Sequence, residues 1–126
     1  MTANLSIIGL ARKGGMIAMG EEPCGNACRM YKAAAVFTAS DAADNSIRRA
    51  AGFAELGGVP HIKLDATKEQ LGASCGRSSL AMFAITDAGF ALTVAKRLAN
   101  CDAEILEILQ SASARTAKLK KECKKK

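Results

Sequence analysis

Two short, uninterrupted apolar runs constrain the fold of this 126-residue chain more than any other feature. They are AAAVF at residues 33–37 and LAMFAI at residues 80–85. Neither alternates with polar residues and neither is long enough to span a membrane, so both predict strands buried on two faces of a sheet. A sheet of that kind needs helices on both sides.

The remaining segments supply further strands and helices. Short apolar segments at residues 16–19 and 59–64 predict two more strands, and helical apolar spacing follows Leu5, Gly20, Asp44, Thr67 and Asp87. Strands that alternate with helices predict an α/β fold, a three-layer α/β/α sandwich with a four-stranded mixed sheet. The length predicts one domain with a single core, and the first 20 residues lack the pattern of a signal peptide.

Polar residues before the helical segments predict how the helices begin. Asp41 or Asp44 is expected to cap the third helix, and Asp87 the fifth. Thr67 and Gln70 have the spacing of a capping box, with Thr67 or Asp65 as its first residue. Glycine pairs at residues 14–15 and 57–58 are typical helix stops.

The positive charge is concentrated at the carboxyl terminus. The chain has 18 basic and 12 acidic residues, and positions 115–126 hold seven of the basic residues and one of the acidic ones. Residues 1–114 therefore contain 11 basic and 11 acidic residues. Residues 100–102 interrupt the fifth helix, and an amphipathic helix (Ile105, Ile108, Leu109, Ala112) follows before the lysine-rich tail. The tail either maintains solubility or attracts a polyanion.

Candidate chemical groups are few. An odd number of cysteines, five, without an export signal indicates reduced thiols in a cytoplasmic protein. Cys24 and Cys28 share one side of a helix, but with His61 as the only histidine we expect them to be core residues, and we expect no metal or cofactor. A hydrolase site that uses Asp41, Asp87 or His61 is the least favoured interpretation.

The glycine-bearing segment from Gly72 to Ser79 has two interpretations. It lacks the order of a phosphate-binding P-loop, because it follows a helix and precedes a strand. A helix-to-strand turn explains its composition. Alternatively, Arg77, Ser78 and Ser79 are typical donors to a nucleic-acid backbone.

The order of several motifs resembles the ribosomal L-seven-Ae family, and is most similar to its bacterial YlxQ-like branch. The motifs are LARKGG (10–15), GEE (20–22), ASDAADNS (39–46), VP (59–60), TKEQLGASCG (67–76) and AITDAGFA (84–91). The resemblance implies a compact α/β/α sandwich that binds kink-turn and related RNA bends in the ribosome or translation machinery, and no enzymatic activity.

The same resemblance implies an RNA surface at the start of the second helix and in the loop before the last strand. The corresponding residues are Gly20, Glu21, Glu22, Asn26, Gly76, Arg77, Ser78 and Ser79. Glu22, Pro23 and Asn26 stand where kink-turn binders have Asn, Glu and Lys. An alternative is therefore a protein-interaction module that kept the fold without specific kink-turn recognition. The resemblance implies an RNA-binding domain at residues 1–100, and the extension at residues 101–126 lies beyond the family's common core. The helix of this extension packs on the domain, pairs with a second copy, or holds the tail against structured RNA, and the last of these is the hypothesis that we favour.

Overall fold

The computed structural model of the protein describes residues 6–98 and 104–112. Helices and strands alternate in the order α1 (Ser6–Lys13), β1 (Ile17–Met19), α2 (Glu21–Arg29), β2 (Ala35–Thr38), α3 (Asp44–Gly57), β3 (His61–Lys63), α4 (Lys68–Ser74), β4 (Met82–Ile85) and α5 (Ala88–Leu98). Residues 104–112 form a further helix. Every expected strand is present, each shorter than its apolar run. Within the described residues, no helix has the length and apolar character needed to cross a membrane.

The four strands form one mixed sheet, as predicted, and their order in it is β1-β4-β2-β3. β4 is antiparallel to both of its neighbours, whereas β2 and β3 are parallel. We call the end at which β1 and β2 finish and β4 begins the front end, marked by Met19, Thr38 and Met82. The back end is marked by Ala35 and Ile85.

Helices cover both faces of the sheet, which confirms the three-layer architecture. Alternate residues of β2 and β4 enter two separate core clusters, because successive strand side chains point to opposite faces. Phe37 and Phe83 lie on the face covered by α1, α4 and α5, where their rings stack with centroids 5.2 Å apart. Val36 and Ala84 lie on the face covered by α2 and α3.

The helix at residues 104–112 packs on the domain. Leu109 is fully buried in the larger core cluster, and Ile105 and Leu106 pack against it. Ile108 lines a groove at the back end together with Tyr31. Packing on the domain is thus the arrangement of this helix, while the expected tail at 115–126, Cys101 and Cys123 lie outside the described residues.

The helix starts agree with the sequence at two positions and correct it at a third. The Thr67 hydroxyl accepts from the Gln70 N–H in a complete capping box, and an Asp87 carboxylate oxygen accepts from the Phe90 N–H at 2.8 Å. The expected cap of α3 is wrong, since its N-cap is Ala43 with no side-chain hydrogen bond.

Asp41 caps a different helix, and Asp44 caps none. Asp44 is the first residue of α3, and Asp41 Oδ1 accepts from the Lys68 N–H at 2.8 Å, at the start of α4. Parallel pairing of β2 and β3 brings the segments after these strands together at the front end, where the Ser40 N–H also donates to the Ala66 carbonyl. The Asp41 carboxylate, which the sequence spacing assigned to the start of α3, is therefore hydrogen-bonded to the start of α4 instead.

Gly72 fixes the turn that leads into β4. The Arg77 N–H donates to the Gly72 carbonyl at 2.8 Å, and the turn folds back over α4. A Cβ at Gly72 would lie 2.6 Å from the Ser79 Cα and 2.9 Å from the Arg77 carbonyl oxygen. These are backbone atoms, so a side chain at residue 72 requires the turn to move.

We expect Gly72→Ala to lower the free energy of unfolding by about 1–3 kcal/mol, because overpacking against backbone forces a shift of the chain. The matched control is Gly52→Ala in α3, where a Cβ meets no atom within 4 Å. Because alanine has a higher helix propensity than glycine, this control is expected to raise the free energy of unfolding by up to about 1 kcal/mol. Urea unfolding of both variants checks the difference, and equal midpoints would contradict it.

Candidate nucleic-acid interface

Gly20 places the start of α2 against the first residue of β4. Its N–H donates to the Met82 carbonyl at 3.0 Å, and its carbonyl accepts from the Cys24 N–H. Gly20 is the N-cap of α2 with φ of 95°, a backbone conformation that glycine adopts without the steric cost of a Cβ. The sharp corner from β1 into α2 therefore depends on glycine at this position.

Arg77 lies directly beside this corner. A Cβ at Gly20 would be 3.5 Å from Arg77 Nη1, so the start of α2 and the turn before β4 adjoin each other at the front end. Arg77, Ser78 and Ser79 are exposed, and Gly76 enters the turn with φ of 73°. The helix at residues 104–112 lies at the back end and leaves this surface uncovered.

The acidic residues at the start of α2 face α3. The Glu21 carboxylate forms an exposed ion pair with Arg49 of α3, which is the only ion pair within residues 6–98 and 104–112. Glu22 lines a cleft of about 500 Å³ with Arg29 and Phe53. One of the two carboxylates beside Gly20 is therefore balanced by a cation.

Asn26 belongs to the same α2–α3 side. Its Oδ1 accepts from Arg29 Nη1 at 2.9 Å, and the Arg29 guanidinium lies over the Phe53 ring at 5.9 Å. The eight expected site residues thus divide into two groups. Gly20 adjoins the Gly76–Ser79 turn, whereas Glu21, Glu22 and Asn26 contact or line the α2–α3 side.

Two arginines near these residues were missed in the sequence. Arg49 was one of several charges on a helix, and nothing local linked it to Glu21, 28 residues away. Arg12 lies in the last turn of α1, where a basic residue interacts favourably with the helix dipole, and its guanidinium lies beside Gly76. The only signal in the sequence was its place in the LARKGG motif.

The cysteines of the described residues are buried. Cys24 and Cys28 belong to α2 and are fully buried in the core cluster between α2, α3 and the sheet, so their expected core role is confirmed. Cys75 lies in the larger cluster. Burial raises the pKa of the Cys24 thiol to about 12 and raises that of Cys28. Residues 6–98 and 104–112 contain no group of three His, Cys, Asp or Glu side chains placed to hold a metal.

The residues of the hydrolase interpretation are not brought together. Asp41 follows β2 at the front end and Asp87 follows β4 at the back end, and each bonds to the start of a helix. His61 Nε2 lies 3.0 Å from the hydroxyl of Thr38, a fully buried residue, in a hydrogen bond that joins β2 to β3. All three side chains have structural hydrogen bonds.

Solved structures of other proteins share the fold of this chain. The structure is similar to that of a protein of unknown function from Bacillus halodurans C, with a TM-score of 0.68 and 23% identity over 76% of this chain and 96% of that chain. It is also similar to the Giardia lamblia 15.5kD RNA binding protein, with a TM-score of 0.55 and 18% identity over 91% of this chain and 85% of that chain. At these identities the likeness shows the fold. No family model and no curated protein matches the sequence.

We expect protonation of His61 to destabilise the protein in acid. Burial lowers its pKa from the ordinary 6.5, so below pH 6.5 the unfolded chain binds this proton before the folded one does. The contribution of neutral His61 to the free energy of unfolding is therefore complete above pH 6.5 and is lost as the pH falls toward the pKa of the folded state. Urea unfolding at pH 7.5 and 5.5 measures the loss.

His61→Gln separates this contribution from those of the carboxylates, because Gln keeps a hydrogen-bonding group near Thr38 and does not titrate. The variant is expected to lose less stability than the unmodified protein over the same pH interval. An equal loss in both proteins would show that His61 is not responsible.

Proposed function

We propose that this protein is a non-enzymatic RNA-binding protein of the ribosomal L-seven-Ae type, from the bacterial YlxQ-like branch, that recognises a bent or structured RNA of the ribosome or translation machinery. The observation that carries the proposal is the proximity of Arg77 to Gly20, since Arg77 Nη1 lies 3.5 Å from the point where a Cβ on Gly20 would stand. Two segments 57 positions apart in sequence form one exposed surface, and they are the segments that the family resemblance assigns to RNA.

The start of α2 offers backbone donors to an RNA phosphate. Gly20 has no side chain with which to cap the first turn, Pro23 has no N–H, and the Cys24 N–H is already bonded. The N–H groups of Glu21 and Glu22 therefore have no side-chain cap, and the positive end of the helix dipole lies beside them. Such a helix start favours a phosphate oxygen.

Arg77 adds a charged donor next to these amides. A guanidinium presents a planar fork of N–H groups that matches the geometry of a phosphate. The ion pair between Glu21 and Arg49 reduces the repulsion that a free carboxylate would exert on the same phosphate. Recognition by backbone amides and one arginine follows the shape of a bent RNA backbone rather than its bases.

A second function is favoured by the position of Asn26. Its amide oxygen is held by Arg29 on the α2–α3 side, away from Arg77, and Glu22 lines the same side. Polar side chains that lie on the α2–α3 side and not beside Arg77 suit a protein-interaction module that retains the fold. RNA binding by the purified protein distinguishes the two functions.

We expect Arg77→Ala to weaken binding to a kink-turn RNA about tenfold, since a hydrogen bond from a charged donor contributes roughly 1.5 kcal/mol. Filter binding at 50–200 mM salt, with a straight duplex of equal length beside the kink-turn, measures the loss and the preference. Removal of one phosphate-binding charge also lowers the slope of log affinity against log salt by about 0.7–0.9.

The matched control is Lys32→Ala, which removes one exposed positive charge between α2 and β2 at the back end. Its affinity is expected to stay close to that of the unmodified protein. The proposal is contradicted if the folded protein binds neither RNA, or if both substitutions have the same effect. The interaction-module function would then take its place.

We further propose that the extension at residues 101–126 acts with the domain at residues 1–100, its tail supplying sequence-independent attraction to RNA. Deletion of residues 115–126 removes seven basic residues and one acidic residue. We expect weaker binding to every RNA and a salt slope lowered by about 0.7–0.9 for each phosphate that the tail no longer neutralises. A slope that is the same with and without the tail would rule this role out.

A further inference from the structure

Arg12 lies at the turn that contains Arg77, although it is 65 positions away in sequence. Its Nη1 is 3.1 Å from the point where a Cβ on Gly76 would stand, and the absence of that Cβ lets the guanidinium approach the turn. Arg77, the next residue, is within 3.5 Å of the corresponding point on Gly20. Two guanidinium groups therefore lie at the Gly76–Arg77 turn. That of Arg12 lies beside Gly76, and that of Arg77 lies beside Gly20.

The two segments that supply these guanidiniums carry no negative charge. Residues 1–20 and 70–86 contain no Asp and no Glu, and they contribute Arg12, Lys13 and Arg77. In the part of the chain that the structure describes, the sole ion pair joins Glu21 to Arg49, so no carboxylate is within ion-pair distance of Arg12 or Arg77. Both arginines are exposed and able to receive an anion.

A purely structural role explains only part of this arrangement. A basic residue in the last turn of α1 interacts favourably with the carboxyl-terminal end of the helix dipole, and Lys13 does so equally. The dipole does not explain why the Arg12 guanidinium extends to a separate turn. It also does not explain why a second unpaired arginine follows on that turn, where like charges repel each other.

We propose that Arg12 is a further RNA-binding residue, which contacts a backbone phosphate beside the one held by Arg77 and the start of α2. The inference rests on the proposed function and extends its surface from two chain segments to three. The ligand is a phosphodiester of a structured RNA, because guanidinium forks and the exposed hydroxyls of Ser78 and Ser79 supply charge and hydrogen-bond donors suited to phosphate oxygens. The family motifs do not assign Arg12 to this role.

The test compares Arg12→Gln, Arg12→Lys and Lys32→Ala in the full-length protein, with the same kink-turn RNA and salt range. Gln keeps most of the side-chain length and removes the charge, so we expect about tenfold weaker binding and a lower salt slope. Lys keeps the charge, so the slope is expected to be retained. Urea unfolding of each variant verifies that the domain is folded before binding is measured.

A structural role for Arg12 predicts a different pattern. Arg12→Lys and Arg12→Gln would then differ in unfolding midpoint but share the salt slope of the unmodified protein, and this result would overturn the inference. If Arg77→Ala weakens binding while Arg12→Gln matches Lys32→Ala, the proposed function stands and the inference fails. If the unmodified protein binds no RNA, both fail.

Phosphate ethylation interference locates the phosphate that Arg12 binds. RNA ethylated at random phosphates is separated into bound and free fractions, and positions that block binding are read from the free fraction. We expect one interfering phosphate to disappear with Arg12→Gln and a different one with Arg77→Ala. Identical interference patterns for Arg12→Gln and the unmodified protein would overturn the inference.

Discussion

Burial of β2 and β4 on both faces of the sheet is the constraint on which the rest of the structure depends. All eight residues of these strands are buried, and their seven apolar side chains alternate between two core clusters. At roughly 25 cal/mol for each Å² of apolar surface removed from water, such strands require helices on both sides. The antiparallel pairing of β4 with β1 and β2 then brings three chain connections to the front end.

The exposed surface at the front end is a consequence of this pairing. Gly20 is hydrogen-bonded to the first residue of β4, and the turn that precedes β4 is held on α4 through Gly72. Both segments are therefore fixed by backbone contacts, while Arg77 lies on the turn and the Arg12 side chain reaches the turn from α1. A backbone held in place that presents exposed charged side chains is suited to a ligand recognised by its shape and charge.

The charged residues are distributed unevenly over the protein, which the net charge alone does not show. Residues 1–114 are neutral by count, yet the acidic residues beside Gly20 face α3, and Arg12 and Arg77 lie at the turn before β4. The lysine-rich tail adds positive charge in a separate part of the chain. In general, a locally basic surface on a body of balanced charge favours one place for an anion, and a cluster of lysines increases the attraction to any polyanion.

The sequence by itself determined the elements whose signals are local. The apolar runs predicted the strands, and the capping box of Thr67 and Gln70 was found because all of its hydrogen bonds lie within four residues. Only the tertiary structure decided which distant groups meet: Asp41 with α4, Glu21 with Arg49, Arg12 with Gly76. Residue spacing encodes the period of a helix or strand, whereas these contacts depend on the order and direction of the strands, which one segment cannot specify.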